Sequence, residues 1–147
     1  LIALHRWLGR PEALPGKPAL MKLATGRLAR LHAAVLAAAE GFAEQTPAQR
    51  HALRIRVKRM RYALDYLGAL FGGHSKFAAC FAALQDELGA FGDAATARDL
   101  LARLNRDGRL DAAAARLAGA LEARMRDRVA EIGGTLEKFS RLTPPWR

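Results

Sequence analysis

The stretch His51-Ala52-Leu53-Arg54-Ile55-Arg56-Val57-Lys58-Arg59-Met60-Arg61-Tyr62, continuing through Asp65 to Leu70, sets the organisation of this chain. It reads as one helix. At about 100° per residue, His51, Arg54, Lys58 and Arg61 recur at spacings of three, four and three and share a face. Leu53, Val57, Met60, Leu64, Leu67 and Phe71 form a second stripe, roughly a third of a turn away. Ile55, Tyr62 and Tyr66 fall on the other side of the basic row. Ala52, Arg56, Arg59 and Ala63 are left on the remaining arc, the expected solvent face.

An ordinary amphipathic helix sets its charges opposite its apolar stripe. Here a basic row is bracketed by two apolar rows, a pattern expected of cations at the edge of a core or along a groove. Like charges so placed repel one another and lose hydration, at a cost in free energy. Only Asp65 continues their face, so local acid does not neutralise them all. A bound polyanion would, because guanidinium groups grip phosphate oxygens with forked hydrogen bonds and lysine supplies a point charge. From the residues alone, the competing reading is a solvated charge run or an ion-pair network with acids from other helices.

The totals frame this choice. A chain of 147 residues is expected to form one domain with a substantial core. Its 24 Lys and Arg against 14 Asp and Glu give a formal net charge of +10. That balance favours an acidic partner: nucleic acid, an inorganic phosphate polymer or anionic lipid. The single cysteine, Cys80, leaves no intrachain disulfide and fits a reducing, cytoplasmic setting. No signal peptide and no uncharged apolar run near 18 residues is evident, so no membrane span is expected. The first residue is Leu1, and the chain is read as a fragment or a processed product.

Ala, Leu and Arg dominate and β-branched residues are few, so the fold class is expected to be all-α. Leu1 to Leu8 reads as the end of a preceding helix, and residues 9–18, with three prolines and two glycines, as a loop. The first long helix is predicted from Ala19 to about Phe42, with Leu20, Ala24, Leu28, Leu31, Val35, Ala38 and Phe42 on one side. Lys22, Arg27, Arg30 and His32 form a second cationic group there. Thr46-Pro47-Ala48-Gln49 is a helix start with a capping threonine, proline at the first position and a glutamine able to close a capping box.

The basic helix then runs to Phe71, stopped by Gly72-Gly73. Ser75 is a candidate cap for a helix burying Phe77, Phe81, Leu84 and Leu88 and ending at Gly89 and Gly92. Asp93 is expected to cap a short helix to about Asn105, with Ala97, Leu100 or Leu101, and Leu104 facing inward. A last helix is predicted from Asp111 to Ile132, seamed by Leu117, Leu121, Met125, Val129 and Ile132. Gly133-Gly134 interrupts it, and Thr143-Pro144-Pro145 is a tail. Short connections favour an antiparallel up-and-down bundle.

Two runs resemble a known family. His51-x-Leu53-Arg54-Ile55-x-x-Lys58-Arg59-x-Arg61-Tyr62 is similar to the signature of the CHAD family, the conserved-histidine α-helical domains. Leu84-Gln85-Asp86-x-Leu88-Gly89 followed by Asp93-Ala94-Ala95 resembles the segment that comes next in that family, with Gly92 where the family usually has asparagine. Order and separation fit, and the resemblance covers about Ala19 to Leu104.

It implies a helical fold of two pseudo-symmetric four-helix repeats with basic rows lining a central groove or pore, binding of inorganic polyphosphate, and in some members association with polyphosphate or storage granules. Carried onto this chain, it implies phosphate contacts from His51, Arg54, Lys58 and Arg61, with Lys22, Arg27, Arg30 and Arg59 as further positions. Since only one such basic helix is present, the chain is expected to be a single helical domain equivalent to the C-terminal repeat. Its missing partner would be an upstream repeat or a second copy in a homodimer.

Asp86 and Asp93 make a poor metal pair, since a hard cation wants more oxygen ligands. Asp86 is expected to orient an arginine of the basic row. His5, His32, His51 and His74 show no zinc spacing, and there is no phosphate-cradling glycine loop and no nucleophile elbow. No acid–base pair stands out, no cofactor is implied, and the chain is read as a binding module and not an enzyme. The rivals are a nucleic-acid binder, a metal-dependent phosphohydrolase or its accessory domain, and an interaction scaffold. Single-strand binding needs exposed aromatics, and Tyr62 and Tyr66 are expected to pack beside the basic row instead.

Overall fold

The structure is a computed structural model that describes residues 16–72, 75–105 and 112–147. The expected helix end and most of the loop before residue 16, together with His5 and His74, lie outside the described residues. Among these residues four α-helices follow one another: α1 Lys17–Ala39, α2 Pro47–Leu67, α3 Ser75–Leu104 and α4 Ala112–Arg141. The all-α bundle expected from composition is what forms. Arg61 meets Gln85 and Arg54 meets Asp93, so α2 and α3 run antiparallel. Cys80 and Glu87 meet Thr135 near the end of α4, while Ala102 and Asn105 lie with Ala114 and Ala118 near its start, so α3 and α4 run antiparallel.

Helix α1 starts at Lys17, two residues before the predicted Ala19, because Pro18 suits a first turn that needs no backbone donor. Gly41, at φ 60°, turns the chain in a left-handed conformation. A 3-10 turn then spans Phe42–Glu44 and buries Phe42. The Gln45 side chain donates to the Ala38 and Glu40 carbonyls at 2.7 and 2.9 Å, which satisfies acceptors that the end of α1 leaves open.

The capping box of α2 is present. The Gln49 amide donates to Thr46 Oγ1 at 3.3 Å, and the Thr46 amide to Gln49 Oε1 at 2.8 Å. At the other end α2 tightens into the 3-10 turn Gly68–Phe71, and Gly72 at φ 59° ends it.

Leu28, Val35, Leu53, Val57, Met60, Phe81, Leu84, Ile132 and Phe139 are wholly buried and form the centre of the core. The apolar stripe read for α2 is therefore the buried one. Truncating a ring such as Phe81 in a site this enclosed costs about 3–5 kcal/mol.

Several expectations are corrected. Gly89 and Gly92 do not end a helix: α3 runs unbroken for 30 residues, so Asp93 is mid-helix and caps nothing. Helix α4 likewise passes through Gly133 and Gly134 for 30 residues. A helical glycine costs about 1 kcal/mol relative to alanine. Burial of Leu88 and Phe91 beside the first pair, and of Ile132, Leu136 and Phe139 around the second, outweighs that cost.

A 30-residue helix is also about 45 Å long, against about 32 Å for the 21 residues of α2. The α3–α4 hairpin therefore outreaches its neighbours, and Leu104 and Leu117, expected to face inward, are more than half exposed. Of the alternatives Leu100 and Leu101, Leu100 is exposed and Leu101 is the half-buried one. The core sits nearer the other end of α4. The tail packs as well: Trp146 is buried, with its ring 5.2 Å from Phe77 and 5.8 Å from His32.

Candidate site: a basic groove between α2 and α3

The 3.6-residue period brings Arg54, Lys58 and Arg61 onto the flank of α2 that faces α3. Arg54 and Lys58 line a groove of about 470 Å³ with Gln85, Asp86, Gly89, Ala90 and Asp93. Its α3 wall is small where the arginine approaches: Cδ, Nε and Cζ of Arg54 all lie 3.7 Å from where a Cβ on Gly92 would stand. The glycine read as a helix terminator is thus part of the surface on which Arg54 rests. Arg54 Nε is buried without a hydrogen-bond partner, while its outer nitrogen Nη2 is 4.0 Å from Asp93 Oδ1.

Arg61 continues the row. Its Nε donates to Asp65 Oδ1 at 3.2 Å, and its Nη1 reaches Gln85 Oε1 at a long 3.5 Å. Among the described residues, Lys58 has no carboxylate within 4.0 Å. Asp86 lines the groove but forms no ion pair or hydrogen bond there, so the expected orienting contact with an arginine is absent among the described residues. Asp93, not Asp86, is the acid nearest Arg54.

His51 is exposed and does not line the groove. Arg56 and Arg59 are exposed on the outer arc as expected. Lys22, Arg27 and Arg30 are exposed on α1, and none lines the groove. His32 does not belong with them. It is buried, with its ring 5.1 Å from Phe139 and 5.7 Å from Phe77, and burial followed by the Arg147 charge lowers its pKa. The ring is therefore a neutral core group.

The second apolar row is also corrected. Tyr62 and Tyr66 are 61% and 84% exposed, because α1 and α3 cover the opposite stripe of α2. They stand beside the basic row without being packed.

Helical phase alone does not single out Arg50. It lies one turn before Arg54, and its guanidinium donates to the Phe42 and Ala43 carbonyls at 3.3 and 2.7 Å. The same group sits 5.2 and 5.1 Å from the Phe42 and Phe91 rings. The i,i+4 spacing to Arg54 is the signal present in the sequence; the rings come from elsewhere in the chain.

Among the described residues, no group of three or more His, Cys, Asp or Glu is placed to hold a metal ion, and no helix is long and apolar enough to cross a membrane. A family model described as CHAD domain matches residues 1–102. No curated protein and no solved structure matches the chain.

Proposed function

The chain belongs to the CHAD domain family, and from that we propose that it is a non-catalytic module binding inorganic polyphosphate, or a similar linear polyanion, through Arg54, Lys58 and Arg61. His51 is assigned the end of the row. Lys22, Arg27, Arg30 and Arg59 are assigned outlying contacts with a longer chain. The observation that carries this reading is Lys58, which opens onto the groove with no acid within ion-pair distance among the described residues.

The acids nearby do not defeat it. Exposed ion pairs contribute only about 0–1 kcal/mol, and Asp93 and Asp65 are 83% and 53% exposed. A chain of phosphates replaces such loose partners with closer ones and releases counterions as it binds. Longer polymers bind tighter through local rebinding.

Titration of polyphosphate of defined length into the wild type and into R54A/K58A/R61A tests the proposal. The triple variant is expected to lose most of the affinity. Equal affinity in both proteins refutes the assignment of the row. Phosphate release with and without divalent ions tests the non-catalytic part, since turnover would place the chain with phosphohydrolases.

The paired-repeat or homodimer arrangement, a cytoplasmic location and association with polyphosphate granules go with the same reading. Light scattering across concentrations tests the dimer, and a constant monomer mass counts against it.

A second reading, single-stranded nucleic acid, is favoured by exposed Tyr62 and Tyr66, since stacked bases need free aromatic faces. Competition at equal phosphate separates the two. Polyphosphate should displace the oligonucleotide, and the reverse result would favour nucleic acid.

A further inference from the structure

On the other side of Arg50 lies a cavity of about 400 Å³, bounded by the turn at Ala43, the start of α2, and the facing flanks of α3 and α4. Its volume is that of an ordinary small-molecule site. Among the described residues three arginines line it, Arg50, Arg98 and Arg126, against one carboxylate residue, Glu122. The rest of the lining is largely apolar: Phe91, Met125 and Val129. None of these residues lines the groove that holds Arg54 and Lys58.

The cations are held unequally. The two backbone carbonyls and two rings described above fix Arg50 in place. Its Nη1 makes no hydrogen bond among the described residues. Arg98 gives Nε and Nη2 to Asp99 Oδ1, at 3.1 and 2.7 Å. Arg126 is exposed and forms no ion pair among the described residues. Glu122, Met125, Arg126 and Val129 follow the i, i+3, i+4, i+7 rule, so one face of α4 supplies an acid, a cation and two apolar walls.

We propose that this cavity binds a small organic anion, a phosphate or carboxylate carried on an apolar body, with its head on the arginines and its body on Phe91, Met125 and Val129. A linear inorganic polymer has nothing to place on the apolar walls. A neutral apolar molecule leaves the guanidinium groups unused. Arginine's planar fork suits either anionic head. This site goes beyond the polyanion groove and does not depend on it.

Phenyl phosphate, with inorganic phosphate and phenol as its two separate halves, provides the test on the full chain. Calorimetry is expected to show phenyl phosphate binding at least about tenfold tighter than either half, the scale of one charge-assisted hydrogen bond. The Met125 methyl resonance is expected to shift on binding. Arg126 is exposed, so R126Q should fold and should weaken binding roughly tenfold, whereas E122Q, which removes the opposing charge, should tighten it. R54A/K58A/R61A should bind phenyl phosphate as the wild type does. The inference is overturned if either half binds as well as the whole, if R126Q changes nothing, or if the triple variant abolishes binding.

Discussion

Arg54 lies flat against Gly92, with three of its side-chain atoms 3.7 Å from the position a Cβ would take. That separation is ordinary van der Waals distance, so alanine fits where a larger side chain does not. The pair links a helix-weakening residue on α3 to the placement of a cation on α2. The glycine is tolerated because α3 is held by its buried side, and it leaves the opposite wall low enough for the guanidinium.

G92A is accordingly expected to raise stability by about 0.5–1 kcal/mol, the helix-propensity gain, with polyphosphate affinity unchanged. G92L should push Arg54 off the wall and weaken binding roughly tenfold, as expected when one charge-assisted hydrogen bond is removed. Urea unfolding and calorimetry on the two variants check both halves.

The inner and outer arcs of α2 should separate in salt. For R54A/K58A/R61A, the slope of log affinity against log salt should become shallower by roughly one for each phosphate no longer neutralised. R56A/R59A removes two exposed outer-arc cations and should change the slope less. Equal changes would show that total charge, and not the row, governs binding.

His32 makes stability pH-dependent in a defined direction. Burial, and then Arg147, lowers its folded pKa below the ordinary value of 6.5. The fold therefore favours the neutral ring, and the associated stability is complete above that value and is lost as pH falls below it toward the folded pKa. The urea midpoint should drop between pH 7.5 and pH 5, and H32L should flatten that part of the profile.

Trp146 should behave as a core residue although it is the penultimate residue of the chain. W146A removes a buried ring that touches Phe77 and His32 and is expected to cost about 3 kcal/mol. Thermal unfolding would show it, and an unchanged midpoint would mean that the tail is not docked in solution.

The N-terminal cap of α2 carries a smaller share. T46A removes the Oγ1 that accepts from the Gln49 amide, while the backbone amide at 46 can still donate to Gln49 Oε1. It should cost about 1 kcal/mol, read as a lower urea midpoint with an unchanged slope.

What the amino-acid order specifies here is local. Helical phase is set by 3.6-residue geometry, so the buried stripe of α2, the basic row beside it and the Thr46–Gln49 box could be read without a fold. The matter that needed distant parts of the chain is equally specific. Glycines at 89, 92, 133 and 134 look like breaks until the buried neighbours on α3 and α4 are counted. His32 looks like a cation until Trp146 and Phe139 close over it. Tyr62 and Tyr66 look packed until α1 and α3 are seen to cover the other side of α2. In each case a local preference of about 1 kcal/mol, or a bare side-chain type, is overruled by burial that only partners remote in the chain can supply.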